Sequence, residues 1–223
     1  MARQKKLADD LTAKDAARTL FVWRSQPALI VTRTDARLPR FAQAAQDLNA
    51  RGWPVLLRKS GGGACPVGPG TLQIALILPA FGGATLETMY AALVRLIQSA
   101  LRQFGVATET GYASGAFCPG RYDVIANGRK IAGLAQHWGH NGSGAYCITA
   151  AGSLIIDDDP QVLCGAVNRF YGIAGGAALC QPGAITSLRA CVDEHARMGR
   201  CLAQDVCDRL ARLGPETLRD LGT

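Results

Sequence analysis

The sequence lacks long apolar stretches. Nowhere in its 223 residues do eighteen apolar residues follow one another, and no apolar run follows the charged segment Met1–Asp10. A membrane-spanning helix needs about twenty predominantly apolar residues, and a secretory signal needs an apolar segment behind its basic start. We therefore expect a soluble, cytoplasmic protein that does not cross a membrane.

Metal-binding and disulfide patterns are also missing. The eight cysteines lie at irregular spacings without a Cys-x-x-Cys pair, and His137, His140 and His195 have no ligand spacing. Such a set predicts neither a metal site nor a disulfide framework. We expect most of the cysteines to be small buried hydrophobic residues.

The charge of the chain selects no particular class of partner. The 24 Lys and Arg residues exceed the 17 Asp and Glu residues, giving a formal charge of +7, but the basic residues are scattered. Nucleic-acid-binding proteins gather such residues into a patch or stripe. The sequence thus requires no nucleic acid, and an acidic protein partner explains the charge equally well.

Length and apolar content favour one domain over residues 1–223, because 48% of the residues are hydrophobic and no repeat or linker divides them. Apolar periodicity predicts its elements. They are a helix over Asp9–Leu20, strands at Leu20–Trp23 and Pro27–Thr32, a helix over Leu38–Ala50, strands at Pro54–Leu57 and Thr71–Leu78, a helix over Leu86–Phe104, a short strand at Val106–Thr108, a strand over Ala145–Asp157, a helix over Pro160–Tyr171, and a helix over Cys191–Leu213 within a C-terminal helical tail, 191–223.

A β-hairpin is the clearest local signal. Asn127-Gly128 stands between the strand-like segments Tyr122–Ala126 and Arg129–Ala132. Asn-Gly favours the type I′ turn, which joins antiparallel strands. Antiparallel hairpins mixed with helices predict an α+β fold rather than a doubly wound parallel sheet.

A glycine-rich loop follows the strand at Pro54–Leu57. It runs from Arg58 to Gly70 and contains three consecutive glycines, Gly61–Gly63. Glycines expose backbone N–H groups and let a ligand approach closely. The loop is neither a Walker loop nor a Rossmann fingerprint, and by itself it is equally typical of a flexible connection.

Two further segments carry reactive side chains, Phe117–Asp123 and Gly128–Gln136. Lys130 lies two residues after Gly128 of the hairpin turn, and the residues that follow it are apolar or small. A lysine on a strand is commonly a solvated edge residue. In a packed strand it instead meets an oxyanion, a carbonyl or a phosphate.

Together, Arg-Lys-Ser-Gly-Gly-Gly-Ala from Arg58, Gly-Arg-Tyr-Asp up to Asp123, and Asn-Gly-Arg-Lys-Ile-Ala-Gly-Leu-Ala-Gln up to Gln136 resemble the lipoate/biotin protein ligase and octanoyltransferase family. The resemblance covers about residues 20–190 and includes the segment Val167-Asn-Arg-Phe-Tyr171. It implies a mixed, largely antiparallel sheet flanked by helices, with the glycine loop and the hairpin facing one acyl-binding tunnel. It also implies that Lys130 is the catalytic lysine that contacts the acyl carbonyl. The remaining residues placed at the acyl or substrate site are Arg58, Ser60, Gly61, Gly62, Gly63, Ala64, Arg121, Tyr122, Asp123, Gly133 and Gln136.

The resemblance leaves ligase and transferase chemistry to be separated. Family ligases use ATP and Mg²⁺ to form an acyl-adenylate, and many have a His-Asp pair after the glycines and an accessory C-terminal domain. Here Val67-Gly68 replaces that pair, and few residues follow Ser187. In the transferase branch a cysteine before Pro-Gly is the nucleophile, and Cys118 occupies that position. Its thiol needs a cationic neighbour to ionise, and Lys130 or Arg121 would supply one.

The resemblance therefore implies a protein-lipoylation enzyme without a required cofactor. It would pass an octanoyl or lipoyl group to a lysine of lipoyl domains or glycine-cleavage H-type carriers, with acyl carrier protein as a further partner. The acyl group would be held as a thioester on Cys118 while Lys130 polarises its carbonyl, and Cys65 is the alternative thiol. An ATP-dependent lipoate ligase and a non-catalytic lipoate- or biotin-binding module remain as alternatives.

Overall fold

The computed structural model describes residues 18–140, 146–177, 179–193 and 201–221. The strands in these ranges are β1 (Thr19–Arg24), β2 (Ala28–Val31), β3 (Val55–Leu57), β4 (Cys65–Val67), β5 (Thr71–Pro79), β6 (Glu109–Gly111), β7 (Asp123–Ala126), β8 (Arg129–His140) and β9 (Tyr146–Ile155). The helices are α1 (Phe41–Ala50), α2 (Leu86–Arg102), α3 (Pro160–Ala174), α4 (Leu188–Cys191) and α5 (Leu202–Asp220), and short 3₁₀ turns lie at Asp35–Arg37 and Pro182–Ala184.

The strands form two sheets. The large sheet has the order β1-β5-β9-β8-β7-β6, and every neighbouring pair is antiparallel. The small sheet has the order β3-β2-β4, with β2 parallel to β3 and antiparallel to β4. The predicted α+β fold with a mixed, largely antiparallel sheet is therefore confirmed.

One face of the large sheet packs on α2 and α5. Alternate residues of β5, from Leu72 to Leu78, contact the apolar side of α2, where Met89, Leu93 and Ile97 recur at helical spacing. The hydroxyl of Thr85 caps the first turn of α2. Both long helices keep a polar side, and no helix in the described ranges is long and apolar enough to span a membrane. The opposite face of the large sheet borders a cavity.

A second core fixes the small sheet. Its apolar residues come from β2, α1 and α3, and include Leu29, Leu48, Val167 and Phe170. Asp159 caps the N-terminus of α3, ahead of Pro160. Because α3 packs behind the small sheet, its last turn approaches the glycine loop that links β3 to β4.

The hairpin forms where Asn-Gly predicted it, with β7 and β8 on either side. Asn127 and Gly128 both have positive φ, 51° and 72°, as a type I′ turn requires. The ladder then shifts, since Ile125 pairs with Lys130 but Val124 pairs with Ala132. Ile131 is thus a bulge residue, and the bulge brings Lys130 onto the same face of the sheet as Gly133.

Some predicted element boundaries were wrong. The short strand after α2 lies three residues later than expected, at Glu109–Gly111. The expected continuous helix from Cys191 to Leu213 is divided: α4 ends at Cys191 and α5 begins at Leu202. The α5 helix also continues through Gly214 and Pro215, and a Cβ at Gly214 would lie 2.5 Å from Leu20 Cδ2 of β1. Most of the helix predicted over Asp9–Leu20 lies outside the described residues, and Leu20 itself belongs to β1.

The cysteine predictions were also partly wrong. Cys164 of α3 forms a disulfide with Cys180, whose Cα lies 5.3 Å away. Spacing along the chain did not predict this pair because it is created by the packing of α3 against a later segment, where the Asn168 amide also binds the Cys180 backbone. Three of the eight cysteines are buried, Cys147 and the two disulfide partners, so the expectation that most of them are buried is wrong.

Candidate active site

A cavity of about 450 Å³ lies between the free face of the large sheet and the small sheet. Trp23, Gln73, Ser153 and Gly133 are cross-strand neighbours on β1, β5, β9 and β8, and they form one row of its floor. Apolar side chains of the small sheet cover the opposite side: Ala28, Ile30, Leu56, Cys65 and Val67. The cavity is therefore a largely apolar channel that crosses the strands of the large sheet.

Cys118 lies at the end of this channel with an unusual backbone. Its φ is 42°, a conformation that side-chain-bearing residues rarely adopt. The ammonium of Lys130 donates to the carbonyl oxygens of Phe117 at 2.9 Å and of Cys118 at 2.8 Å. Strained conformations persist where surrounding contacts hold them, and they concentrate at functional sites. Lys130 thus fixes the conformation of the segment that carries the thiol.

The sulfur of Cys118 is contacted by two N–H donors. The backbone N–H of Gly63 lies 3.1 Å from Sγ, and Nη2 of Arg58 lies 3.3 Å from it. Nη2 of Arg58 also donates to the Gly63 carbonyl at 2.8 Å, so the guanidinium and the glycine loop hold each other in place. Hydrogen-bond donors and a cation both favour the thiolate over the thiol. The cation beside the sulfur is therefore Arg58, rather than either residue suggested by sequence.

A side chain would fit at Gly61 of the glycine loop but not at Gly62. A Cβ at Gly62 would lie 2.6 Å from Cys118 Sγ and 2.7 Å from Arg58 Nη2, and its φ is 105°. A Cβ at Gly61 would contact nothing within 4 Å. We expect Gly62→Ala to displace Arg58 from the sulfur and to slow alkylation of Cys118 by iodoacetamide about 10-fold at pH 7, whereas Gly61→Ala reacts at the wild-type rate. Peptide mass spectrometry of the labelled protein measures both, and equal rates in the two variants would contradict this geometry.

Lys130 and Asp123 form a buried ion pair. Their side chains are only 1% and 2% exposed, and Nζ lies 3.0 Å from Oδ1. Burial raises the pKa of Asp123, while the neighbouring ammonium and the N–H of Gly120 act in the opposite direction. With Phe117 O, Cys118 O and Asp123 Oδ1, the ammonium has one acceptor for each of its three protons. Lys130 is therefore not a solvated lysine at the edge of the sheet.

Cys65 lines the same cavity but lacks such an environment. Burial raises the pKa of its thiol, and its hydrogen bond is a weak contact of 3.9 Å with the Pro66 carbonyl. Cys118, in contrast, has both an N–H group and a guanidinium at its sulfur. The geometry favours Cys118 as the nucleophile.

Several other predicted residues lie beside these groups. Ser60 lines the cavity, as do Arg58 and Gly133. A Cβ at Gly133 would come within 2.8 Å of the Lys130 side chain, so the absence of a side chain there makes room for the lysine. Ala64 donates its backbone N–H to the hydroxyl of Tyr171. The hairpin and the glycine loop thus meet at one site.

Three predicted residues lie away from the cavity wall. Arg121 is exposed, pairs with Glu87 and lies over the ring of Tyr122. Tyr122 stacks on Tyr90 with ring centroids 4.3 Å apart. The amide of Gln136 donates to the Leu86 carbonyl and accepts from the indole of Trp138. These residues surround the start of α2 rather than the sulfur.

Sequence reasoning missed two buried groups at the site, Tyr171 and Asp35. The Tyr171 hydroxyl lies 2.8 Å from Ala64 N and 2.9 Å from Asp35 Oδ1. Tyr171 belongs to a segment that contributes to the family resemblance, Val167–Tyr171, which was the available signal. No local pattern marked Asp35, because it meets Tyr171 across 136 residues of sequence.

Comparison with known proteins agrees with the geometry. Residues 1–198 match the family described as the lipoyl protein ligase A/B catalytic domain. An octanoyl-GcvH:protein N-octanoyltransferase of Kyrpidia tusciae is 35% identical over 179 residues, which are 76% of this chain and 61% of the relative. The enzyme of the same name from Exiguobacterium sibiricum is 30% identical over 155 residues, covering 66% and 57%. The chain thus spans about three fifths of the length of these relatives.

Solved structures share the fold. A lipoate-protein ligase A bound with ATP superposes with a TM-score of 0.70 at 15% identity, covering 97% of this chain and 81% of the other. A putative lipoate protein ligase from T. acidophilum with bound lipoic acid gives 0.67 at 17% identity, with the same coverages. At such identities the likeness concerns the fold, whereas the family match covers most of the sequence. The chain therefore belongs to the lipoyl protein ligase A/B catalytic-domain family.

Proposed function

We propose that this protein transfers an octanoyl or lipoyl group to the lysine of a lipoyl-type carrier domain through a thioester on Cys118. One observation carries the proposal: a sulfur with two N–H donors lies at the end of a largely apolar channel. The two sheets and their helices would act as one catalytic domain in the cytoplasm. The relatives that bear the name of an octanoyltransferase support this choice.

The chemistry needs no adenylate. The Cys118 thiolate attacks the acyl carbonyl of the donor, and the tetrahedral intermediate breaks its bond to the donor's amine or thiol, which leaves with a proton taken from water. An acyl thioester remains on Cys118. The ε-amine of the acceptor lysine then attacks the thioester, forms the amide, loses a proton and releases the Cys118 thiolate. No cofactor takes part. ATP and Mg²⁺ would be needed only if free lipoate or octanoate were the starting material.

Lys130 would polarise the acyl carbonyl after giving up one of its three present hydrogen-bond acceptors. Its three protons are matched by Phe117 O, Cys118 O and Asp123 Oδ1. Stabilisation of an oxyanion requires a donor aimed at that oxygen. We infer that the ammonium gives up one backbone carbonyl when the acyl group binds, while Asp123 retains it at the site.

The channel suits an extended acyl chain. Apolar residues cover it from the small sheet, and Gly133, Ala135 and Ala151 contribute only small side chains, or none, to the part of its floor on β8 and β9. Apolar walls of this kind bind an alkyl chain by removing it from water. For the carriers we propose lipoyl domains and glycine-cleavage H-type proteins, with acyl carrier protein as an additional donor.

A comparison of three acyl donors tests the function. The chain is incubated with an apo lipoyl domain and either an octanoylated H-type carrier, an octanoyl thioester, or free octanoate with ATP and Mg²⁺. We expect acylation of the lipoyl domain from the first two donors and a mass increase on Cys118. Acylation from the free acid with ATP alone would instead establish the ligase alternative. Retention of octanoate without transfer from any donor would establish a binding module.

A further inference from the structure

The hydroxyl of Tyr171 joins three parts of the fold beside the active site. Tyr171 lies in the last turn of α3, is 7% exposed, and has its ring packed edge-on against Phe170. The backbone N–H of Ala64 can only donate, so the hydroxyl accepts from it and gives its own proton to the Asp35 carboxylate. Burial and Asp35 both raise the pKa of Tyr171, although the Ala64 N–H opposes them. The phenol therefore keeps its proton.

Asp35 is itself firmly held. Its Oδ2 accepts from the backbone N–H and the hydroxyl of Thr32, both at 2.8 Å, while Oδ1 accepts from Tyr171. Thr32 directly follows β2, a strand that covers the cavity. A buried carboxylate with three donors is a rigid anchor. Through Asp35, Tyr171 ties the glycine loop to the end of β2.

The glycine loop needs such an anchor. Consecutive glycines have little conformational preference of their own, so their geometry must come from contacts outside the loop. Ala64 is bound by Tyr171, and a Cβ at Gly63 would lie 3.0 Å from the same hydroxyl. The N–H of Gly63, one residue away, points at the sulfur of Cys118. A small rotation of this segment would remove that donor from the sulfur.

We propose that Tyr171, held by Asp35, is a positioning residue that keeps the Gly63 N–H directed at the Cys118 thiolate. The proposal rests on the proposed function of Cys118. It adds a role for the last turn of α3, which does not line the cavity. Tyr171 acts through Ala64 and Gly63 and touches no reacting atom.

The variant Tyr171→Phe tests this role. Phenylalanine keeps the ring and its packing but removes the acceptor of the Ala64 N–H. We expect the iodoacetamide alkylation profile of Cys118, measured across pH, to show a rate about 3- to 10-fold below wild type at pH 7, because loss of a donor disfavours the thiolate. At pH 7 kcat should fall about 3- to 10-fold, with KM for the carrier unchanged within about twofold.

Two further variants make the test decisive. Thr85→Ala removes the capping hydroxyl of α2, away from the glycine loop, and should lower Tm without shifting the Cys118 alkylation profile. Asp35→Asn should shift the profile in the same direction as Tyr171→Phe, and it replaces that variant if Tyr171→Phe fails to fold. An alkylation profile identical to wild type in both site variants would overturn the proposal. Because alkylation needs no acyl donor, this outcome is independent of whether transfer occurs.

Discussion

Replacement of Lys130 by methionine is expected to lower the free energy of unfolding by about 3–5 kcal/mol. Methionine has a similar length but leaves Asp123 as an unpaired charge in a site where it is 2% exposed. It also removes the donor from the carbonyls of Phe117 and Cys118. Urea denaturation at pH 7 measures the loss, and the double variant Lys130→Met, Asp123→Asn should be more stable than the single one because it buries no unpaired charge.

The pH dependence of this loss has a definite sign. Burial raises the pKa of Asp123, and in Lys130→Met the opposing ammonium is gone. A carboxyl whose folded pKa is raised contributes stability at low pH and loses that contribution as the pH rises through the folded pKa. The difference in free energy of unfolding between wild type and Lys130→Met should therefore become smaller as the pH falls from 8 to 5. A difference that stays constant over this range would show that the buried charge is not the cause.

Replacement of Cys118 by serine is expected to reduce transfer from an octanoylated carrier by at least about 10³-fold. Serine keeps the size of the side chain, but its hydroxyl does not ionise near neutral pH and Arg58 cannot make it a comparable nucleophile. Single-turnover mass spectrometry should find no hydroxylamine-labile octanoyl adduct. Loss of activity without loss of structure would separate this effect from that of Lys130→Met.

Two other cysteines serve as comparisons. Cys201 is exposed and belongs to no part of the cavity, so Cys201→Ser should transfer at the wild-type rate. Cys65→Ser changes the cavity wall and should weaken acyl binding, yet the adduct on Cys118 should still form. An adduct that persists in Cys118→Ser and disappears in Cys65→Ser would reassign the nucleophile.

The sequence predicted those features that arise from local chemistry. Asn127-Gly128 identified the hairpin because few residues accept two successive positive φ angles. The spacing of Met89, Leu93 and Ile97 identified α2 and its buried side. The family resemblance predicted that Cys118 and Lys130 lie at one site, and in the structure Lys130 Nζ lies 2.8 Å from the carbonyl oxygen of Cys118.

The remaining features depend on tertiary packing. The cation at the sulfur is Arg58 because the glycine loop folds back on its own first residue, which no periodicity reveals. Strand β4, Cys65–Val67, is too short to show alternation and begins inside the glycine-rich segment. The contact between Asp35 and Tyr171 crosses most of the chain. Such features follow from the assembled fold and have no local pattern.

The bulge at Ile131 has a consequence for folding accuracy. A straight β8 of the same sequence would turn the Lys130 side chain toward the apolar layer formed with Val124 and α2, and would separate it from Asp123. An ammonium in that layer would have no acceptor, and a buried unpaired charge costs several kcal/mol. Misregistered hairpins are therefore strongly disfavoured. The ion pair of Lys130 with Asp123 therefore also stabilises the correct register of β8.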